Sequence, residues 1–202
     1  MSTPRPRIST PTKGTPSAGQ PDMFDTLIQS SAVSLFHAYG VAAAPLTPTE
    51  LSFEEFRPYY PLAAIGFRAP GLDAALILSV PPEVAALLSL GQGSPPSPRE
   101  LARELANQAM GRIKNRLSQY QVNLRCTLPV CADQHANLER VAPQRGRLVV
   151  YGLRTVHRQI VIAIKGLVET SALTYSSATR LNGEGDIIVF EDPTNRGEGA
   201  QS

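Results

Sequence analysis

The sequence predicts an α/β fold: a largely antiparallel sheet with three helices packed on one face. Three observations carry this reading. Apolar residues recur at helical spacing near residues 22–40 and 98–120, and "PEVAALLSLG" reads as a short apolar helix between them. Two apolar runs, "PLAAIGFRA" and "DAALILSVP", flank the turn-forming "PGL" and read as a hairpin. "GRLVVYGLRTV" and "RQIVIAIKGLVE" are rich in Val and Ile and read as two further strands.

Residues 1–21 are Pro, Ser, Thr and Gly with three basic residues. Such a segment buries too little surface to offset its ordering entropy, so a disordered tail is expected. The first helix, "DMFDTLIQSSAVSLFHAYG", places Phe24, Leu27, Ile28, Val33, Leu35 and Phe36 at roughly helical spacing and closes at Gly40. His37, near its end, reads as a packed or end-capping residue. "TELSFEEF" alternates weakly and is expected to be extended. The short helix should end at Gly91.

Ser97, Pro98 and Glu100 form an N-cap, a first-turn proline and a capping box. They predict a long helix from about Pro98 to about Tyr120. "LRCTLPVCAD" is extended, with Pro129 marking an edge or a bend. His157 falls in the turn between the two Val/Ile-rich strands, and His135 in a polar loop. The segment after Glu169 carries an Asn182-Gly183 turn signal and a short apolar run, which suggest an extra hairpin before a frayed end. The chain thus divides into a tail (1–21), one domain (22–169) and a C-terminal extension (170–202).

Composition narrows the function classes. With 42% hydrophobic residues in 202, one domain has a real core. A net charge of +2 and the absence of Trp argue against a dedicated nucleic-acid surface. No stretch reaches the ~18 apolar residues of a membrane span, and the N-terminus lacks the apolar region of a secretory signal. A cytoplasmic protein is expected. Cys126 and Cys131, five residues apart on an extended segment, should point to opposite faces and remain reduced thiols. The three His and two Cys show no metal-ligand spacing, so no metal site is expected.

The long helix holds the informative stretch, "ELANQAMGRIKNRL". On a helical wheel Leu101, Ala102, Leu105, Ala106, Ala109, Met110, Ile113 and Leu117 fill one half, which should pack on the sheet. Arg103, Glu104, Asn107, Gln108, Gly111, Lys114, Asn115 and Ser118 fill the other. Glu104 and Asn107 are neighbours on the wet side, and Gly111 lies one turn beyond Asn107. A mid-helix Gly costs ~1 kcal/mol relative to Ala. Its benefit here is a bare patch on which another surface can approach the backbone closely.

"ELANQAMGRIKNRL" followed by "LRCTLPV" resembles the CheX-like chemotaxis phosphatases, relatives of CheC and the flagellar switch phosphatases. "IGFRAPGLDAALILSVPPEVAALL" is similar to that family's hairpin and short helix, and the strands after Gly146 to its closing strands. The resemblance covers roughly Asp22 to Glu169.

It implies a CheC-like fold and an aspartyl-phosphate phosphatase acting on a phosphorylated response-regulator receiver domain. In this mechanism Asn107 orients water in line with phosphorus, and Glu104 docks by pairing with the receiver's active-site Lys. Gly111, Gln108, Lys114 and Arg103 fall on the docking face, and Arg112 and Arg116 would extend its basic rim. No cofactor of its own is implied; Mg²⁺ belongs to the receiver. The family also implies a homodimer paired through its sheets. The first helix has no E-x-x-N, so one site per chain is expected. The alternative is a non-catalytic module of the same fold that binds a receiver or another signalling protein without turnover.

Overall fold

The computed structural model describes residues 22–89, 95–133, 138 and 142–169. The expected N-terminal tail, the helix end at Gly91, the loop around His135 and the C-terminal extension lie outside the described residues.

Helix α1 (Met23–Ala38) is followed by two short strands, β1 (Ala44–Pro45) and β2 (Thr49–Leu51). The hairpin of β3 (Leu62–Ala69) and β4 (Leu72–Ser79) comes next, then α2 (Pro82–Leu88) and α3 (Pro98–Ser118). Two short strands, β5 (Arg125–Cys126) and β6 (Val130–Ala132), precede the closing pair β7 (Arg147–Arg154) and β8 (Gln159–Val168). The strands form one sheet in the order β1-β7-β8-β4-β3-β5, with β2 also on β7 and β6 also on β3. Every one of these pairings is antiparallel.

One face of the sheet carries the helices. Ala63, Ile65 and Phe67 of β3 share it with Leu76, Val149, Tyr151 and Ile162. Phe24, Ile28, Leu35 and Phe36 of α1, Val84 and Leu88 of α2, and the apolar stripe of α3 pack onto these residues in a single core. Each fully buried Leu, Ile or Phe contributes ~1.5–3 kcal/mol, so this layer dominates stability. The other face carries a smaller cluster of Phe56, Leu62, Ala64, Ile77, Leu138, Leu148 and Ala163. Burial on both faces explains why β3 and β4 read as nearly continuous apolar runs.

Local chemistry sets the ends of the elements. Asp22 caps α1 by accepting from the Phe24 N–H at 3.1 Å, and Gly40, at φ 74°, turns the chain out of it. The capping box of α3 is complete: Ser97 Oγ accepts from the Glu100 N–H, and Glu100 Oε2 accepts from the Ser97 N–H at 2.9 Å. Tyr151, almost wholly buried, donates its hydroxyl to Asp25 Oδ1 at 2.6 Å. Burial and this bond push its pKa far above the ordinary phenol value.

Two of the expectations for extended segments are corrected by the structure. "TELSFEEF" is a strand only at Thr49–Leu51. Beyond it Ser52 and Glu55 exchange bonds, Ser52 N–H to Glu55 Oε2 (3.0 Å) and Glu55 N–H to Ser52 Oγ (3.2 Å). This closes a turn that delivers Phe56 to the far face of the sheet.

Cys126 and Cys131 do not point to opposite faces. Cys126 pairs with Phe67 and Cys131 with Ala63, so five residues on the edge span four on β3. The extra residue is a bulge. Thr127 seals it, its N–H donating to the Gly66 carbonyl at 2.9 Å and its Oγ1 accepting from the Gly66 N–H at 3.0 Å. The bulge restores parity, and both cysteines face the helix side. They are free thiols whose pKa values burial pushes up.

Candidate functional site

Helix α3 lies across the sheet with its three sides in different surroundings. The buried side is Leu101, Ala102, Leu105, Ala106, Ala109, Met110, Ile113 and Leu117, the apolar half of the wheel. A second side meets α1 along a polar seam. Arg116 Nη1 donates to Ser30 Oγ at 2.6 Å, Arg112 Nη1 to Ser34 Oγ at 2.8 Å, and Gln108 Oε1 accepts from the Tyr39 hydroxyl at 3.1 Å. Positions 108, 112 and 116 ascend α3 as 39, 34 and 30 descend α1, so the helices run antiparallel. Arg112 and Arg116 are therefore turned toward α1. They do not extend a basic rim on the outer surface.

The third side faces outward. Arg103, Glu104, Asn107, Gly111, Lys114 and Asn115 are all exposed. Among the described residues the Asn107 carboxamide has no hydrogen-bond partner, which leaves its donor and acceptor for an incoming group. Glu104 Oε1 accepts from Gln108 Nε2 at 2.8 Å. Arg103 and Lys114 lie toward the β5–β6 edge, where their charges act on Cys131 and Cys126. Among the described residues a Cβ built on Gly111 meets no atom within 4 Å, so their packing does not require glycine there.

The surface is a helix face rather than a pocket. An apolar groove lined by Val80, Ala85, Pro98, Leu101 and Leu105 runs between α2 and α3, and none of Glu104, Asn107 and Gly111 lines it. Among the described residues, no group of three or more His, Cys, Asp or Glu side chains is arranged to hold a metal ion. No described helix is long and apolar enough to cross a membrane.

Sequence reasoning brought Glu104, Asn107, Gly111, Arg103 and Lys114 to one surface, where the structure also places them. It grouped Gln108 with them, whereas Gln108 is half-buried between Glu104 and Tyr39. It missed Tyr39 altogether. The available signal was the four-residue spacing of Ser30 and Ser34 on α1, which matches that of Arg112 and Arg116.

No protein-family model matches the chain, and no curated protein matches it. Solved structures do. A CheC-like superfamily protein from Shewanella sp. PV-4 aligns with a TM-score of 0.58 at 15% identity, over 70% of this chain and 96% of its own. The chemotaxis protein CheX from Desulfovibrio desulfuricans aligns with a TM-score of 0.58 at 10% identity, over 70% of this chain and 97% of its own. The CheX–CheY–BeF3–Mg²⁺ complex from Borrelia burgdorferi aligns with a TM-score of 0.54 at 11% identity, over 74% of this chain and 100% of the matched chain. The FliM middle domain of a Vibrio and Thermotoga maritima FliY match as well. The chain therefore shares its fold, an antiparallel sheet with three helices on one face, with these CheC-like, CheX, FliM and FliY structures.

Proposed function

We propose that the chain docks the phosphorylated receiver domain of a response regulator on the exposed face of α3 and hydrolyses its aspartyl phosphate. One observation carries this reading. Glu104, Asn107 and Gly111 occupy the only side of α3 that neither the core nor the α1 seam uses among the described residues. Asn and Gly are poor helix formers, and among the described residues no packing contact calls for Gly111 and no burial for the exposed Asn107. The resemblance of "ELANQAMGRIKNRL" to the CheX-like helix supplies the roles. The Borrelia burgdorferi complex, in which a CheX of this fold is paired with CheY, supports a receiver as partner.

The residue types suit the chemistry. Aspartyl phosphate is an activated acyl phosphate, so hydrolysis depends on positioning and electrostatics. The Asn107 amide donates to one group with its NH2 while its carbonyl accepts from a water, aiming that water in line with phosphorus. The water oxygen bonds to phosphorus as the bond to the aspartate oxygen breaks, leaving a free carboxylate and inorganic phosphate. The receiver contributes its own Mg²⁺, and this chain contributes no base. Glu104 pairs with a receiver cation, Gly111 admits the partner's surface to the helix backbone, and Arg103 and Lys114 flank the contact with positive charge.

The test is phosphate release from phosphorylated receiver domains of the same genome, run beside a binding titration. Release stimulated by this chain supports the proposal. Binding without any stimulated release would leave a docking module of the same fold in place of the enzyme.

A further inference from the structure

The polar seam between α1 and α3 does not end at its own helices. Gln108 sits at its last position and touches two residues with different fates, Tyr39 inside the seam and Glu104 on the open face. The polarity of this chain of bonds has one solution. A carboxylate only accepts, so Gln108 must present its NH2 to Glu104 Oε1. Its carbonyl is then turned to Tyr39, whose hydroxyl must donate. Tyr39 is itself anchored: it caps α1, its N–H donates to the Phe36 carbonyl at 3.1 Å, and its side chain packs against the main core.

We infer that Tyr39 and Gln108 are positioning residues that hold the Glu104 carboxylate for the docking partner. This rests on the docking role proposed for Glu104 and adds to it. An exposed glutamate ordinarily samples many rotamers and loses that freedom when a partner pins it. Here one carboxylate oxygen is already tied to a bond chain that runs to the core, and Oε2 is left toward solvent for a cation. The end of α1 thereby becomes part of the receptor for the partner, although α1 carries no E-x-x-N of its own.

A seam contact with a purely structural role would behave differently, and the seam supplies its own control. Ser34→Ala removes the Arg112 contact one turn away without touching Glu104. Tyr39→Phe removes only the hydroxyl and keeps the ring packed against the core. With a receiver that the parent turns over, Tyr39→Phe and Gln108→Leu should each raise KM by ~3- to 10-fold, the affinity equivalent of one long side chain's rotamer freedom. kcat should stay unchanged, and Ser34→Ala should leave both constants as they are. On a Glu104→Ala background Tyr39→Phe should add nothing.

Three-bond NMR couplings of the Glu104 side chain in the free protein give a readout that needs no receiver. They should report one dominant rotamer in the parent and averaging in Tyr39→Phe. A rotamer-averaged Glu104 in the parent overturns the inference, as does a KM that Tyr39→Phe moves no more than Ser34→Ala does. A fixed Glu104 in a chain that neither binds nor dephosphorylates any receiver sustains the positioning and overturns the docking role instead.

Discussion

Replacing Gly111 by leucine puts a side chain at the centre of the outward stripe of α3. Its effect on the fold can be worked from the structure. Among the described residues a Cβ at this position meets no heavy atom within 4 Å, so they impose no steric cost to subtract. A mid-helix glycine costs ~0.5–1 kcal/mol relative to a good helix former, and that amount is recovered. In a chain of this size ~1 kcal/mol raises Tm by roughly 2–4 °C. Gly111→Ala and Gly111→Leu should therefore both melt slightly above the parent. Their effects on function should diverge. If the partner approaches the helix backbone at Gly111, the leucine side chain holds it away from Asn107, and binding and turnover are lost in a protein more stable than the parent. Thermal melts and phosphate release on one preparation read both quantities. A stabilised Gly111→Leu protein with normal turnover would refute the docking surface and remove Glu104 and Asn107 from it.

Glu104→Ala should weaken receiver binding by ~2–5 kcal/mol, the cost of breaking a desolvated charge pair at an interface, while the saturated rate falls less. Titration with an activated receiver checks this, and unchanged affinity takes Glu104 out of the contact. Hydrogen bonds from Ser97 hold the Glu100 carboxyl below the usual carboxylate range. That contribution is complete above the unfolded value and is lost as pH falls through the lowered folded one. Amide protection in the first turn of α3 should therefore drop below about pH 4, and Glu100→Gln should flatten the dependence. Tyr151→Phe removes the bond to Asp25 beneath α1 and should cost ~1–2 kcal/mol in urea denaturation with turnover per folded molecule unchanged. An unaltered midpoint would show that this bond contributes nothing net.

The parts of the fold legible in the sequence are those governed by local periodicity and punctuation. The buried residues of α3 follow from their spacing alone, because a single face of a helix meets a single sheet. The Ser97–Glu100 box and the "PGL" hairpin were readable because cap and turn chemistry is local. Interactions between segments distant in sequence were not readable. The wheel places Gln108 on the wet half but says nothing of α1 beside it, so Gln108 falls on the expected docking face and Arg112 and Arg116 on its basic rim, whereas all three meet α1. The bulge at Thr127 depends on how "CTLPVC" registers against β3, and one extra residue reverses the faces inferred from alternation. "TELSFEEF" alternates in composition, yet the Ser52–Glu55 bonds end the strand early. Within the site, Glu104, Asn107 and Gly111 stand out because no core role accounts for them, whereas no local pattern marks Tyr39, whose partner Gln108 is distant in sequence.

The most direct measurement is the single-turnover decay of a receiver's aspartyl phosphate with this chain in saturating excess, for the parent and for Asn107→Ala. Asn107 lies exposed on the outer face, so the variant should fold and bind as the parent does. The parent should accelerate the decay. Asn107→Ala should lose on the order of 10²-fold of that acceleration or more, equivalent to a barrier higher by ~2.7 kcal/mol. A variant that bound the receiver and accelerated decay as fast as the parent would contradict the account, because water would then be oriented without the Asn107 amide.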